Sequence, residues 1–152
     1  MKMQTISSLS NTWDDVQVGY ELPVHEREIT AALIAGGAIS ATHDYATVHH
    51  DYHAARKAGA DDIFMNILTT NGLIGKYLTD WSGPTGEIKK ITLKLAVPNY
   101  PGDRMTISAH VTKKYMAEGQ HLVEIEFVGK NRLGNHAKGN AVVSLPREEI
   151  GL

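Results

Sequence analysis

Two side chains five positions apart, Asp44 and His49, are the pair in this sequence best suited to proton chemistry. They belong to a stretch dense in titratable groups that runs from His43 to Asp51. An irregular loop can turn both side chains into one pocket. There a carboxylate and an imidazole can divide the roles of general base and general acid near neutral pH. The spacing therefore makes Asp44 and His49 candidate catalytic residues.

The segment that follows, from Ile63 to Trp81, predicts a long helix that positions this loop. Its apolar residues recur at three- and four-residue spacings, the pattern of a helix with one apolar face. Its other side carries threonines and glycines rather than charges, and a helix without a charged face is expected in a core. Asp61 or Asp62 is expected at the N-terminus of this helix, where negative charge is favourable.

Two shorter helices are expected on either side of the candidate loop. Thr30 is a plausible N-cap for a helix over residues 31–41. In that helix Gly36-Gly37 either marks a close crossing with another backbone or is simply tolerated. Asp51 is expected to cap a second helix over residues 52–58, which a glycine then ends.

From Gly86 onward the apolar residues alternate with polar ones, as in half-buried strands. The alternation predicts four strands with turns between them, and a short strand is expected earlier in the chain. The predicted strands cover residues 26–29, 91–97, 105–111, 123–127 and 137–145. A long buried helix followed by antiparallel strands predicts an α+β fold in which the sheet wraps around the helix. The whole chain, residues 1–152, is interpreted as one domain.

Composition excludes several classes of function. The formal net charge of −2 argues against a nucleic-acid partner, which would require a basic surplus. The absence of cysteine rules out disulfides and thiolate metal sites. Residues 1–11 lack the apolar core of a signal peptide, and no apolar run approaches the ~20 residues that span a bilayer. We therefore predict a cytoplasmic protein with no membrane partner.

The candidate loop also matches a known motif. It reads Asp44-Tyr45-Ala46-Thr47-Val48-His49-His50-Asp51, and the motif is Asp-x-Asn-Pro-(Ile/Val)-His-x-Asp. Both catalytic positions and the trailing aspartate match, while Ala46 and Thr47 replace Asn-Pro. The segments 13–19 and 141–146 fit the same family. The chain thus resembles the MaoC-like (R)-specific enoyl-CoA hydratases, and this resemblance implies a hot-dog fold, an antiparallel sheet wrapped around a central helix.

One difference from the family motif indicates a particular branch of the family. The family usually opens its central helix with His-Gly-Met, where this chain has Met65-Asn66-Ile67. In this respect the chain is similar to the small, single-hot-dog subunit of the two-chain enoyl-CoA hydratase in bacterial steroid side-chain breakdown. In that branch a second MaoC-like chain helps to form the substrate site. The resemblance implies an acyl-CoA thioester substrate, a homodimer or a heteromer with a second MaoC-like chain, and no cofactor, because coenzyme A is part of the substrate.

The resemblance also implies roles for individual residues. Asp44 is expected to act as the base towards water, and His49 as the proton donor, in adding water to a trans-2-enoyl thioester or removing it. The enolate charge that develops on the thioester oxygen needs donors already in place. We expect these at the N-terminus of the central helix, from the backbone of Asn66 or its neighbour Ile67. The Asn66 side chain points either at the substrate or towards the protein, and we favour the second.

Three alternatives remain. A hot-dog acyl-CoA thioesterase shares the fold but works with a carboxylate on the helix, and residues 63–79 contain no acidic residue. A non-catalytic acyl-CoA-binding subunit of a hydratase complex would not need the Asp44/His49 pair. His49, His50, Asp51 and His53 include good Zn²⁺ ligands, but adjacent histidines diverge and no distant ligand is evident, so we expect no metal site.

Overall fold

The structure, a computed structural model, describes residues 10–147, so the polar start of the chain, residues 1–9, and residues 148–152 lie outside the described part. In chain order it contains β1 (His25–Glu28), α1 (Ala31–Gly36), a π-helical turn (Gly37–Ala41), a 3-10 turn (Thr47–His49), α2 (Tyr52–Lys57), α3 (Ile67–Ser82), β2 (Glu87–Leu95), β3 (Arg104–Ala117), β4 (Gln120–Asn131) and β5 (Gly134–Ser144). Within residues 10–147, no helix is long and apolar enough to cross a bilayer.

The strands form one antiparallel sheet in the order β1-β3-β4-β5-β2. Alternate residues of the central strands point to one face and are buried, as the period of two predicts. These residues are Met105, Ile107, Ala109 and Val111 from β3, and Val123, Ile125 and Phe127 from β4. The buried side of α3, with Ile74 and Leu78 fully enclosed, belongs to the same core. The predicted α+β fold, a sheet around one long helix, is confirmed.

The prediction that this helix begins at Ile63 is wrong, because α3 begins at Ile67. The backbone before it is extended, and its polar groups bond to other segments: Phe64 N–H donates to Val48 O at 3.4 Å and Met65 N–H to Asn99 O at 3.1 Å. These bonds replace the helical ones, so the negative charges at positions 61–62 do not lie at the helix N-terminus. Ile63 and Met65 are still buried, which explains why they extend the apolar pattern.

The helix predicted over residues 31–41 is present in a modified form. Thr30 caps it, with its hydroxyl oxygen 3.0 Å from Leu33 N, but the α-helix ends at Gly36 and a π-helical turn continues to Ala41. A Cβ added at Gly37 would lie 2.5 Å from Thr69 Oγ1. The close crossing suggested by the glycine pair is therefore real for Gly37, whose missing side chain lets the turn approach α3.

The remaining short elements agree with their predicted positions. Asp51 caps α2, with Oδ1 3.1 Å from Ala54 N. Gly59, just after α2, has a φ of +92°, a left-handed conformation that favours glycine at a helix end. The first strand, β1, lies one residue earlier than predicted.

Candidate active site

Asp44 is placed by the backbone that leaves the π-helical turn. Its N–H donates to Ala38 O at 2.8 Å, and the preceding residue, His43, adopts a φ of +53°, which turns the chain sharply. One carboxylate oxygen, Oδ1, accepts from Ala46 N–H at 3.1 Å. The other, Oδ2, faces the start of α3. This local geometry leaves about a third of the Asp44 side chain exposed, at the mouth of a cleft.

His49 lies on the 3-10 turn and is nearly buried. Its Nδ1 is 2.6 Å from Phe64 O, and the Phe64 ring meets the imidazole edge-on with centroids 5.0 Å apart. Since a carbonyl only accepts hydrogen bonds, Nδ1 carries the proton of this bond. Nε2 is therefore the nitrogen that faces the cleft, and it lies 3.4 Å from Asp44 Oδ2. The structure thus brings the two predicted catalytic residues together, with Nε2 as the atom that can exchange a proton.

Asn66 connects this pair to the central helix. Its Oδ1 accepts from Thr69 N–H at 2.9 Å and so caps α3. Its Nδ2 donates to both Asp44 Oδ2 and Thr42 Oγ1, each at 2.9 Å. The side chain is thus turned towards the protein, the orientation that we favoured. The bond from Asn66, followed by that from the Ala46 N–H, holds the pKa of Asp44 below its usual value. The carboxylate is therefore ionised at neutral pH.

The N-terminus of α3 also presents backbone donors. Within residues 10–147, the N–H groups of Asn66, Ile67 and Leu68 have no hydrogen-bond acceptor. The first amides of a helix carry partial positive charge and attract anionic oxygen. Two of them belong to Asn66 and Ile67, the residues expected to stabilise the thioester oxygen. Half of the Ile67 side chain is exposed, so it adds an apolar wall to the cleft beside these donors.

The cleft between α3 and the end of β2 has a volume of about 250 Å³. Besides the catalytic candidates it is lined by apolar residues of both walls, namely Phe64, Met65, Ile67, Leu95, Ala96, Val97 and Pro98. A larger groove of about 700 Å³ includes Lys94, His110 and Glu126 but neither catalytic candidate. Because Asp44 and His49 line the smaller cleft together with Asn66 and Ile67 at the start of α3, that cleft is the candidate active site.

The sequence analysis missed two residues of this site, Thr42 and His136. Thr42 accepts from Asn66, and His136 lines the cleft. No spacing rule would have revealed them, because both reach the site through irregular backbone. His50 and His53, which the sequence analysis considered as Zn²⁺ ligands together with His49 and Asp51, are exposed. In the described part of the chain, no group of three His, Asp or Glu side chains has a metal-binding arrangement.

Comparison with known proteins identifies the family. No protein-family model matches the chain. The chain is 44% identical, over 105 residues, to the 3-oxo-4,17-pregnadiene-20-carboxyl-CoA hydratase beta subunit of Mycobacterium tuberculosis, covering 69% of this chain and 78% of that protein. The chain belongs to the MaoC-like hot-dog family of hydratases and dehydratases. The family assignment and the hot-dog fold expected from the motif are thereby confirmed.

Comparison with solved structures supports the same family assignment. The chain is similar to the crystal structure of the ChsH1-ChsH2 complex from M. tuberculosis, at 40% identity and a TM-score of 0.78, covering 85% of this chain and 98% of the other. The fold is shared with R-hydratase PhaJ1 from Pseudomonas aeruginosa, at 20% identity, a TM-score of 0.76 and coverages of 94% and 93%. A MaoC-like dehydratase from Rhodospirillum rubrum is equally similar in fold, at 20% identity, a TM-score of 0.76 and coverages of 90% and 97%.

Proposed function

We propose that this MaoC-like protein catalyses the reversible hydration of a trans-2-enoyl-CoA thioester in the cytoplasm, with Asp44 and His49 as its catalytic residues. The observation that carries the proposal is the distance of 3.4 Å between Asp44 Oδ2 and His49 Nε2. The pair lies in a cleft that is also lined by Asn66 and Ile67, whose N–H groups have no acceptor within residues 10–147. The hydratase named above, 44% identical to this chain, supports the reaction class.

In the proposed reaction, a water molecule within reach of both side chains adds its oxygen to Cβ of the enoyl group. Asp44, ionised because of its bonds to Asn66 and Ala46, takes the proton that this water releases. For this step His49 must carry a proton on Nε2 as well as the one on Nδ1 that bonds to Phe64 O. It donates the Nε2 proton to Cα, and the Cα=Cβ double bond becomes a single bond. The proton taken up by Asp44 then returns to Nε2, which lies 3.4 Å from Oδ2, and this completes the cycle. The reverse sequence removes water from the 3-hydroxyacyl thioester.

Negative charge develops on the thioester oxygen while Cα is being protonated. The N–H groups of Asn66 and Ile67 are oriented donors at the end of a helix dipole, so they can stabilise this charge without reorganising. The Asn66 side chain is engaged by Thr42, Asp44 and Thr69. We therefore propose that Asn66 stabilises the charge on the thioester oxygen through its backbone N–H and not through its side chain.

A bulky acyl chain of steroid type is the proposed substrate. The M. tuberculosis relative is named for a pregnadiene carboxyl-CoA. The cleft of about 250 Å³ is smaller than the roughly 300–1,000 Å³ of pockets that enclose drug-sized ligands. The small volume therefore favours a site in which another chain supplies a further wall around the acyl chain.

The proposed source of that wall is a second MaoC-like chain. Within the described residues, β2 pairs with β5 on one side and has no strand on the other. Such edges are usually covered. Leu95 at the end of β2 and Ile67 at the start of α3 are partly exposed beside the cleft. The similar ChsH1-ChsH2 structure is a complex of two different chains, which favours a heteromer over a homodimer.

The test is an assay of the purified chain, first without and then with a candidate MaoC-like partner, against a panel of enoyl-CoA esters from short to steroidal. We expect 3-hydroxyacyl-CoA as the product, with activity on bulky chains only in the complex, and light scattering should show a dimer or larger assembly. Release of free coenzyme A without hydration would instead indicate a thioesterase. The one acidic residue in α3, Asp80, lies near its C-terminal end beside Lys76, away from the cleft.

A further inference from the structure

A second histidine approaches the first turn of α3 from the opposite wall of the cleft. In the register of β4 and β5, Gly129 pairs with Ala137 and Lys130 pairs with Asn135. His136 is skipped, so it is the extra residue of a β-bulge. Bulges change the direction of a side chain and are frequent beside active sites. Here the bulge buries both His136 and Ala137, whereas two successive residues of a regular strand would point to opposite faces.

The two ring nitrogens of His136 bond to different walls of the cleft. Nδ1 is 2.7 Å from Val97 O, and Nε2 is 2.8 Å from Thr70 Oγ1. Because the Val97 carbonyl only accepts, Nδ1 carries the proton. Burial lowers the pKa of His136, against the opposing effects of the Val97 bond and the charge of Asp103. The ring is therefore neutral at physiological pH, and its bare Nε2 accepts the hydroxyl proton of Thr70.

The backbone of the bulge also bonds to the wall of the cleft that contains Val97. His136 O accepts from Ala96 N–H at 2.9 Å, and Asn135 O accepts from Val97 N–H at 3.2 Å. On the other wall, Thr70 is fully buried on α3. A single imidazole therefore spans the two walls and fixes the distance between them.

We propose that His136 is a positioning residue of this site, which acts through Thr70 on the first turn of α3. Thr70 N–H donates to Asn66 O at 3.2 Å, and Thr70 Oγ1 lies 3.3 Å from the same oxygen. An anchored Thr70 thus fixes the Asn66 peptide at the start of α3, beside the cleft that Asn66 and Ile67 line, and the Asn66 side chain donates to Asp44. The catalytic consequence of this anchor rests on the proposed hydratase function, but the anchor itself does not.

Adjacent threonines in α3 provide matched variants. Thr70→Val removes the hydroxyl, keeps the side-chain shape and leaves His136 Nε2 without its donor, while Thr70→Ser keeps the hydroxyl. Thr69→Val is the control, because Thr69 is also buried in this turn but its Oγ1 has no hydrogen-bond partner among residues 10–147. A general loss of packing would affect both valine variants, whereas loss of the anchor affects only Thr70→Val.

The first measurement is amide hydrogen exchange by NMR in these variants, which requires no activity. We expect the amides of residues 69 and 70 to exchange about tenfold faster or more in Thr70→Val than in Thr69→Val, with Thr70→Ser close to wild type and the amide of Leu78 unchanged. Equal protection of the first-turn amides in the two valine variants would show that the bond between His136 and Thr70 does not anchor this turn. A uniform loss of amide protection along α3 would show the same.

The second measurement is steady-state kinetics on enoyl-CoA, with the chain in its active assembly. Thr70→Val should lower kcat about fivefold or more with KM changed less than about twofold, and Thr70→Ser should restore it. Faster exchange with unchanged kcat would show that His136 does not position the site. If the wild-type protein hydrates no enoyl-CoA, the proposed function fails, and hydrogen exchange still decides whether the anchor exists.

Discussion

Replacing Asn66 by alanine removes its three side-chain hydrogen bonds, to Thr69, Asp44 and Thr42, and two of them have effects that can be measured separately. One is the helix cap, in which Oδ1 accepts from Thr69 N–H at 2.9 Å. Loss of such a cap costs about 1 kcal/mol, which for a chain of 152 residues lowers Tm by about 2–4 °C. The other is the bond from Nδ2 to Asp44 Oδ2. Its loss raises the pKa of Asp44, because this bond is the main cause of the lowered value.

Asn66→Ser separates these two effects. A serine hydroxyl can still cap α3 but is too short to reach Asp44. We therefore expect Asn66→Ser to keep most of the Tm, while the acidic limb of the kcat/KM profile moves to higher pH in both variants, since that limb reports groups of the free enzyme. The assays are thermal unfolding and the pH dependence of enoyl-CoA hydration. A loss of kcat of about tenfold or more in Asn66→Ala with unchanged Tm would refute this account and make the Asn66 side chain a direct donor to the thioester oxygen.

Two further predictions follow from neighbouring residues. Gly37→Ala should destabilise the fold by about 1–3 kcal/mol in chemical denaturation, since the added Cβ would lie 2.5 Å from Thr69 Oγ1. The control is Gly36→Ala, which should be neutral or slightly stabilising because its added Cβ meets nothing within 4 Å. The lowered pKa of Asp44 contributes stability that is present above the unfolded pKa of about 3.9 and is lost as pH falls through the folded value. The difference in unfolding free energy between wild type and Asp44→Asn should therefore shrink below about pH 4, and a difference that does not vary with pH would contradict this.

The core of the fold was predictable because alternation along a strand directly encodes which face is buried. Met105 and Ile107 in β3, and Val123 and Ile125 in β4, are buried as the period of two required. The start of α3 was not predictable in this way. Ile63 and Met65 are buried like helical residues, but their segment is extended because its backbone bonds to distant segments, and apolar spacing does not encode such bonds.

The candidate active site was also predictable only in part. Asp44 and His49 were candidates by residue type and spacing and were assigned catalytic roles through the match to the family motif, and they lie 3.4 Å apart. Thr42 and His136 were missed because a π-helical turn and a β-bulge place them. Alternation along β5 puts His136 and Ala137 on opposite faces, and only the observed register shows that both point inwards. Such irregularities depend on tertiary hydrogen bonds rather than on local residue patterns.

The most direct test of the central claim is the kcat of four variants with an enoyl-CoA that the active assembly hydrates. Asp44→Asn and His49→Ala should each lower kcat by at least ~100-fold, the lower range for general acid–base groups, with circular dichroism showing a folded chain. Two controls come from the same loop: Asp51→Asn, which keeps a capping acceptor for Ala54 N–H, and His50→Ala at an exposed position, should retain near-normal turnover. Near-normal kcat in either Asp44→Asn or His49→Ala would contradict the assignment of this pair as the catalytic residues.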